Sequence, residues 1–133
     1  MHGAEEIRAG EQLIALIVRA GLRPTETTFV TADSLPQQVG FVVYPAGGEV
    51  ARHVHRPIRR QLEGTAEVLL VRTGRCEVDL YDEERAPVAT RELVQGDVIL
   101  LVAGGHGFRM LEDTTFLEVK QGPYTGIDEK ETF

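Results

Sequence analysis

From residue 27 onward the chain is a succession of short runs rich in Val, Leu, Phe and Thr, cut by Gly, Pro and Asp. They read "TTFVTA" (27–32), "QVGFVVYP" (38–45), "EVARHVH" (49–55), "AEVLLVR" (66–72), "RCEVDLYD" (75–82), "VATREL" (88–93), "DVILLVA" (97–103), "GFRMLE" (107–112) and "TTFLEVKQ" (114–121). Short runs with a turn signal every ~8–12 residues predict an all-β sandwich or small barrel. Strands do not alternate with helical stretches, so a parallel nucleotide-binding sheet is not expected.

The beginning has a different texture. Ile7, Leu13, Leu16, Ile17 and Leu22 recur at roughly helical spacing, and Gly21 and Pro24 stop the pattern. This predicts a helical extension over 1–26 and a barrel with a C-terminal tail over 27–133. A chain of 133 residues suits one domain with a real core. A net charge of −7 argues against nucleic acid as a partner, because phosphate binding needs a basic surface. Cys76 is the one cysteine, so no internal disulfide forms, and a cytoplasmic setting is expected. The run "LIALIV" falls far short of the ~20 residues of a membrane span.

Within the runs the faces are readable. Cys76, Val78 and Leu80 point one way from their strand, and Glu77, Asp79 and Tyr81 the other. In "AEVLLVR" both faces are apolar, so another sheet or a second subunit must cover the outer one. Thr73-Gly74 reads as a hairpin tip.

The residues that carry chemistry are histidines and a glutamate. His53 and His55 stand at i and i+2, on one face if 49–55 is a strand. Glu67 opens the next strand, and His106 follows Gly104-Gly105 at the end of another. In order, Gly47, five residues, His53-Val54-His55, then Glu67, six residues and Gly74 form one motif; Gly96, Asp97, Gly104 and His106 form a second. This arrangement resembles the cupin superfamily. It departs from the family pattern in the eleven residues 56–66, where three or four are usual. It also has Val102 in place of Pro, His106 one residue early, and Met110 in place of Asn. Glu63 lies nearer the usual spacing, but it precedes Gly64 at a turn, and the step to Gly74 favours Glu67.

The resemblance implies a double-stranded β-helix, or jelly roll, in which His53, His55, Glu67 and His106 bind one divalent metal. Three imidazoles and a carboxylate suit Zn, Fe, Mn, Ni, Co or Cu. A small oxygen-bearing molecule, such as a sugar derivative or carboxylate, is the expected partner. Isomerase, epimerase or dioxygenase chemistry is one reading, and a non-catalytic binding module the other. A metal-free epimerase using a His base and an acidic partner is a third. A homodimer is expected from the two-faced strand and from family habit.

Further residues have roles only in particular geometries. Arg52, Arg56, Arg59 and Arg60 are either anion-binding groups near a metal mouth or a solvated loop. Arg109 binds substrate only if it points inward. Glu118 and Lys120 share a strand face with Phe116, and they are candidate acid–base groups if that face looks into the barrel. Tyr124 closes over the mouth or packs on the surface. Cys76 reads as a small buried hydrophobe.

Overall fold

Ten strands and no α-helix make up the computed structural model, which describes residues 3–126 and 129–133. Strands β1 (Glu5–Ala9) and β2 (Gln12–Val18) form an antiparallel hairpin. Next come two short strands, β3 (Thr28–Phe29) and β4 (Gly40–Phe41). After a long irregular segment follow β5 (Glu67–Thr73), β6 (Arg75–Tyr81), β7 (Pro87–Val94), β8 (Val98–Leu101), β9 (Gly105–Met110) and β10 (Thr115–Lys120). They build a five-stranded sheet in the order β1-β2-β8-β5-β10, a three-stranded sheet in the order β7-β6-β9, and the β3-β4 pair.

The expected N-terminal helix is instead the β1–β2 hairpin. Ala9 pairs with Gln12 across a two-residue turn, and Gly10 takes φ +61°, the conformation that such tight hairpin turns require. From Leu13 to Val18 every residue is buried, because β2 pairs with β8 and is covered on both faces. A fully buried strand is a continuous apolar run, and periodicity alone does not separate it from a buried helix. The segment 49–55, expected to be a strand, forms none.

Two apolar clusters flank the large sheet. Ile14, Ile17, Leu69, Val71, Ile99 and Leu101 meet Cys76, Val78, Leu80 and Leu93 of the small sheet and form the main core. The cysteine behaves as an interior hydrophobe, and burial pushes its thiol pKa up. On the opposite face Leu16, Val18, Leu100 and Val68 pack with Val30, Val39 and Phe41 from the β3–β4 region. The β3–β4 region covers the second apolar face of the 66–72 run.

Asp97 ties the layers together at the turn into β8. It is 2% exposed, and its carboxylate accepts hydrogen bonds from the Ala20 and Val94 amides and from Arg19. Two motif glycines are equally constrained. Gly74 has φ +97°, and a Cβ there would collide with the Asp113 carbonyl; at Gly104, φ +71°, it would collide with the Tyr81 carbonyl. Gly104 therefore lets β8 turn into β9 close against the end of β6, which sets the position of His106.

No helix among the described residues is long and apolar enough to cross a membrane.

Candidate functional site

Three strands deliver ionisable side chains to one end of the main core. On β5, Leu69 and Val71 belong to the core, so Glu67 points to the same inner face. On β9, Phe108 packs against the core, and His106 shares its face. On β10, Phe116 packs against the core, so Glu118 and Lys120 lie on the inward side, with Lys120 opposite Glu67 in register. Glu118 and Lys120 both remain exposed at the rim of that side. The Phe108 and Phe116 rings are 5.2 Å apart and form the floor of the site.

His106 Nε2 stands 3.7 Å from Glu67 Oε1, slightly beyond hydrogen-bond length. The Glu67 side chain is 18% exposed and that of His106 is 31% exposed. Burial raises the Glu67 pKa to about 7, and a hydrogen bond with Glu118 and the charge on Glu118 add to it; Lys120 and Lys130 oppose the shift. Glu118 moves the other way, held below the ordinary carboxylate range first by its hydrogen bond with Glu67 and then by Lys120, Lys130 and His106. The two directions describe one arrangement, in which a protonated Glu67 donates to a Glu118 carboxylate. Burial lowers the His106 pKa, Lys130 lowers it further, and Glu118 partly offsets both. Below about pH 7 the cluster therefore favours a protonated Glu67 beside a Glu118 carboxylate, with a His106 ring that burial keeps toward its neutral form.

This arrangement has a consequence for stability. Glu67 holds its proton more tightly in the folded chain than at the ordinary carboxyl pKa of 4.5. Its stabilising contribution is complete below that value and fades as pH rises through about 7. Glu67→Gln is expected to gain stability relative to wild type between pH 5 and pH 8, by roughly 2 kcal/mol. Thermal unfolding of the chelator-treated proteins at the two pH values checks this; a difference that does not change with pH contradicts it.

The other expected ligands lie elsewhere. His53 and His55 sit on an irregular segment, both exposed, with ring centroids 5.2 Å apart and the His53 Nδ1 2.8 Å from the Ala51 carbonyl oxygen. No group of three or more His, Cys, Asp or Glu side chains that could hold a metal ion occurs among the described residues. A single chain thus brings together Glu67 and His106, two of the four expected donors. Arg109 faces away from them. Residues alternate along β9, so the inward His106 and Phe108 leave Arg109 on the outer face of the small sheet. There it pairs with Glu77 at 3.2 Å and with Asp79, which drives the Asp79 pKa down. Its expected place in substrate binding is corrected on that ground. Arg52 is exposed, and Tyr124 is 76% exposed.

The C-terminal residues contribute what the motifs did not reveal. Phe133 stacks edge-on against Tyr81 at 5.0 Å, Arg85 lies over its ring, and Arg85 pairs with Glu131 at 3.1 Å. This brings Lys130 within electrostatic reach of Glu67, Glu118 and His106. No motif marks Lys130; only the path of the tail puts it there. A scan against family models and searches of curated proteins and of solved structures return no match.

Proposed function

We propose that this chain is a cupin-like jelly-roll protein that binds a divalent transition metal and a small oxygen-bearing molecule, a sugar derivative or a carboxylate, at the mouth formed by β5, β9 and β10. The observation that carries the reading is the meeting of Glu67 and His106, drawn from separate motifs, on one inner face. Isomerisation or epimerisation is the chemistry best suited to the groups present. With Glu67 and His106 committed to the metal, Glu118 would take a proton from carbon beside a carbonyl and Lys120 would return one to the opposite position. Lys120 and Lys130 favour an anionic substrate. The same reading includes a cytoplasmic setting, which rests on the lone reduced cysteine.

A second reading, metal-free proton transfer by Glu67, Glu118 and His106, is favoured by the absence of a three-donor cluster among the described residues of one chain. Elemental analysis of the purified protein separates the two. Near-unity metal content that disappears in a His53→Ala/His55→Ala variant supports the metal reading. A metal-free protein that nonetheless exchanges substrate protons with solvent supports the second. Oxygen uptake with Fe(II) and a panel of sugars and carboxylates distinguishes oxygenation from isomerisation. A melting temperature raised by one ligand without turnover identifies a binding module.

A further inference from the structure

We propose that a second cleft, on the face of the large sheet opposite Glu67 and His106, binds a compact uncharged molecule with an apolar body and a carboxamide head. The cleft lies between the β3–β4 connection (30–39) and the segment 62–66 that leads into β5. The inference stands apart from the metal reading above.

Strand phase supplies the floor. Leu101 of β8 belongs to the main core, so Leu100 and Val102 leave the sheet on the other side, where they join the second apolar cluster. The walls come from Leu35 of the connection and from Leu62. Between them a cleft of about 380 Å3 remains, counting its open mouth. That is the small end of the range for ligand sites, roughly 300–1,000 Å3, so the molecule it suits is compact.

Two consecutive glutamines on the connection fare differently. Gln38 uses its whole amide within the chain. Its Oε1 accepts from the Thr31 hydroxyl, and its Nε2 donates to the Ala32 and Leu35 carbonyls at 2.9 and 2.8 Å. These bonds fix the turn that carries Leu35 and Gln37. Gln37 lines the cleft, and its Oε1 is buried without a hydrogen-bond partner among the described residues. A buried acceptor left unmade carries its desolvation cost, and a ligand N–H seated in the cleft removes it.

Gln121 supplies the opposite polarity. Its Oε1 accepts from the Ala66 amide at 2.5 Å, which leaves Nε2 as the end available to the cleft. One acceptor and one donor among apolar walls match a group that offers both. A primary amide does so, with its N–H toward Gln37 and its carbonyl toward Gln121. Charged heads fit less well. Among the described residues Glu63 lines the cleft and no Lys or Arg does, which disfavours a carboxylate. An ammonium group donates only, so it leaves Gln121 unmatched.

Nuclear magnetic resonance on the full chain, with isovaleramide as the probe, tests this. The Leu100 and Val102 methyl signals are expected to shift saturably at roughly millimolar probe. Signals of Phe108 and Phe116, on the other face of the sheet, should stay in place. Methyl isobutyl ketone keeps the shape but has a methyl group where the amide has nitrogen. It is expected to bind at least roughly 10-fold more weakly, as are isovalerate and isoamylamine. Gln37→Leu is expected to lose the preference for the amide over the ketone. With no probe present it should also melt above wild type, because the unpaired oxygen is gone. A cleft that takes up only solvent gives no saturable shift. That result overturns the proposal, as does equal affinity for ketone and amide, or tighter binding of the amine or the carboxylate. A Gln37→Leu variant that still prefers the amide, or that melts below wild type, overturns it too.

Discussion

Asp97→Ala is expected to lower the unfolding free energy by about 2–4 kcal/mol, the cost of leaving two buried amides without an acceptor, while the half-exposed Arg19 returns to solvent. The carboxylate receives the Ala20 and Val94 amides at 2.8 and 2.9 Å and Arg19 at 3.0 Å, and it is almost wholly buried. Alanine leaves the two amides without acceptors inside the protein and opens space too small to rehydrate them well. The same turn binds Val71 of β5 through backbone hydrogen bonds at Asp97 and Gly96, so the loss spreads to the strand that begins with Glu67. Asp97→Asn keeps the shape and one acceptor, and it is expected to recover a large part of the loss. Chemical denaturation of the three proteins checks the order. An alanine variant within about 1 kcal/mol of wild type contradicts the account, because that is the ordinary effect of a single substitution.

The largest functional effect is expected from the pair that meets at the mouth. Glu67→Ala with His106→Ala is expected to abolish turnover and to weaken metal binding by at least roughly 100-fold, beyond the effect of losing a mere supporting contact. Stability should not fall with it. Removing the carboxyl group relieves a burial penalty that already raises its pKa to about 7, and His106, whose pKa burial lowers, leaves no buried charge behind when it is removed. A folded variant without function separates this site from Asp97, where function and stability fall together. Calorimetric metal titration alongside thermal unfolding measures both quantities. Unchanged metal affinity, or a collapse in stability, contradicts the assignment.

Sequence pattern was most informative where strands alternate cleanly. Cys76, Val78 and Leu80 reached the core, and Glu77 and Asp79 stayed outside, because a half-buried strand writes its two faces into every second residue. The double-faced 66–72 run showed that something covers its outer side; the β3–β4 region does so. The same logic failed at β2. Its residues are buried on both faces, which erases the alternation, and the widely spaced Ile7 and Leu22 then imitated a helical rhythm. At 49–55 the local pattern is that of a strand, but a strand forms only with a partner, and none pairs with it among the described residues.

The site was legible by residue type more than by placement. Glu67 and His106 stood out through their spacing to Gly74 and Gly104, whose positive φ values show why glycine occupies those turns. Glu118 and Lys120 needed the packing of Phe116 to orient them. Arg109 was ambiguous because only the phase of β9 decides its face, and Lys130 reaches the mouth through tertiary contacts of Phe133 that no local pattern encodes.

The convergence of Glu67, Glu118 and His106 can be tested most directly by following the His106 imidazole through a pH titration by nuclear magnetic resonance, in chelator-treated wild type and in Glu118→Gln. The account predicts a wild-type midpoint below the ordinary 6.5 and a further fall in the variant, because the Glu118 charge favours the protonated ring. A midpoint at the ordinary value that does not respond to Glu118→Gln would place these side chains apart and contradict the site.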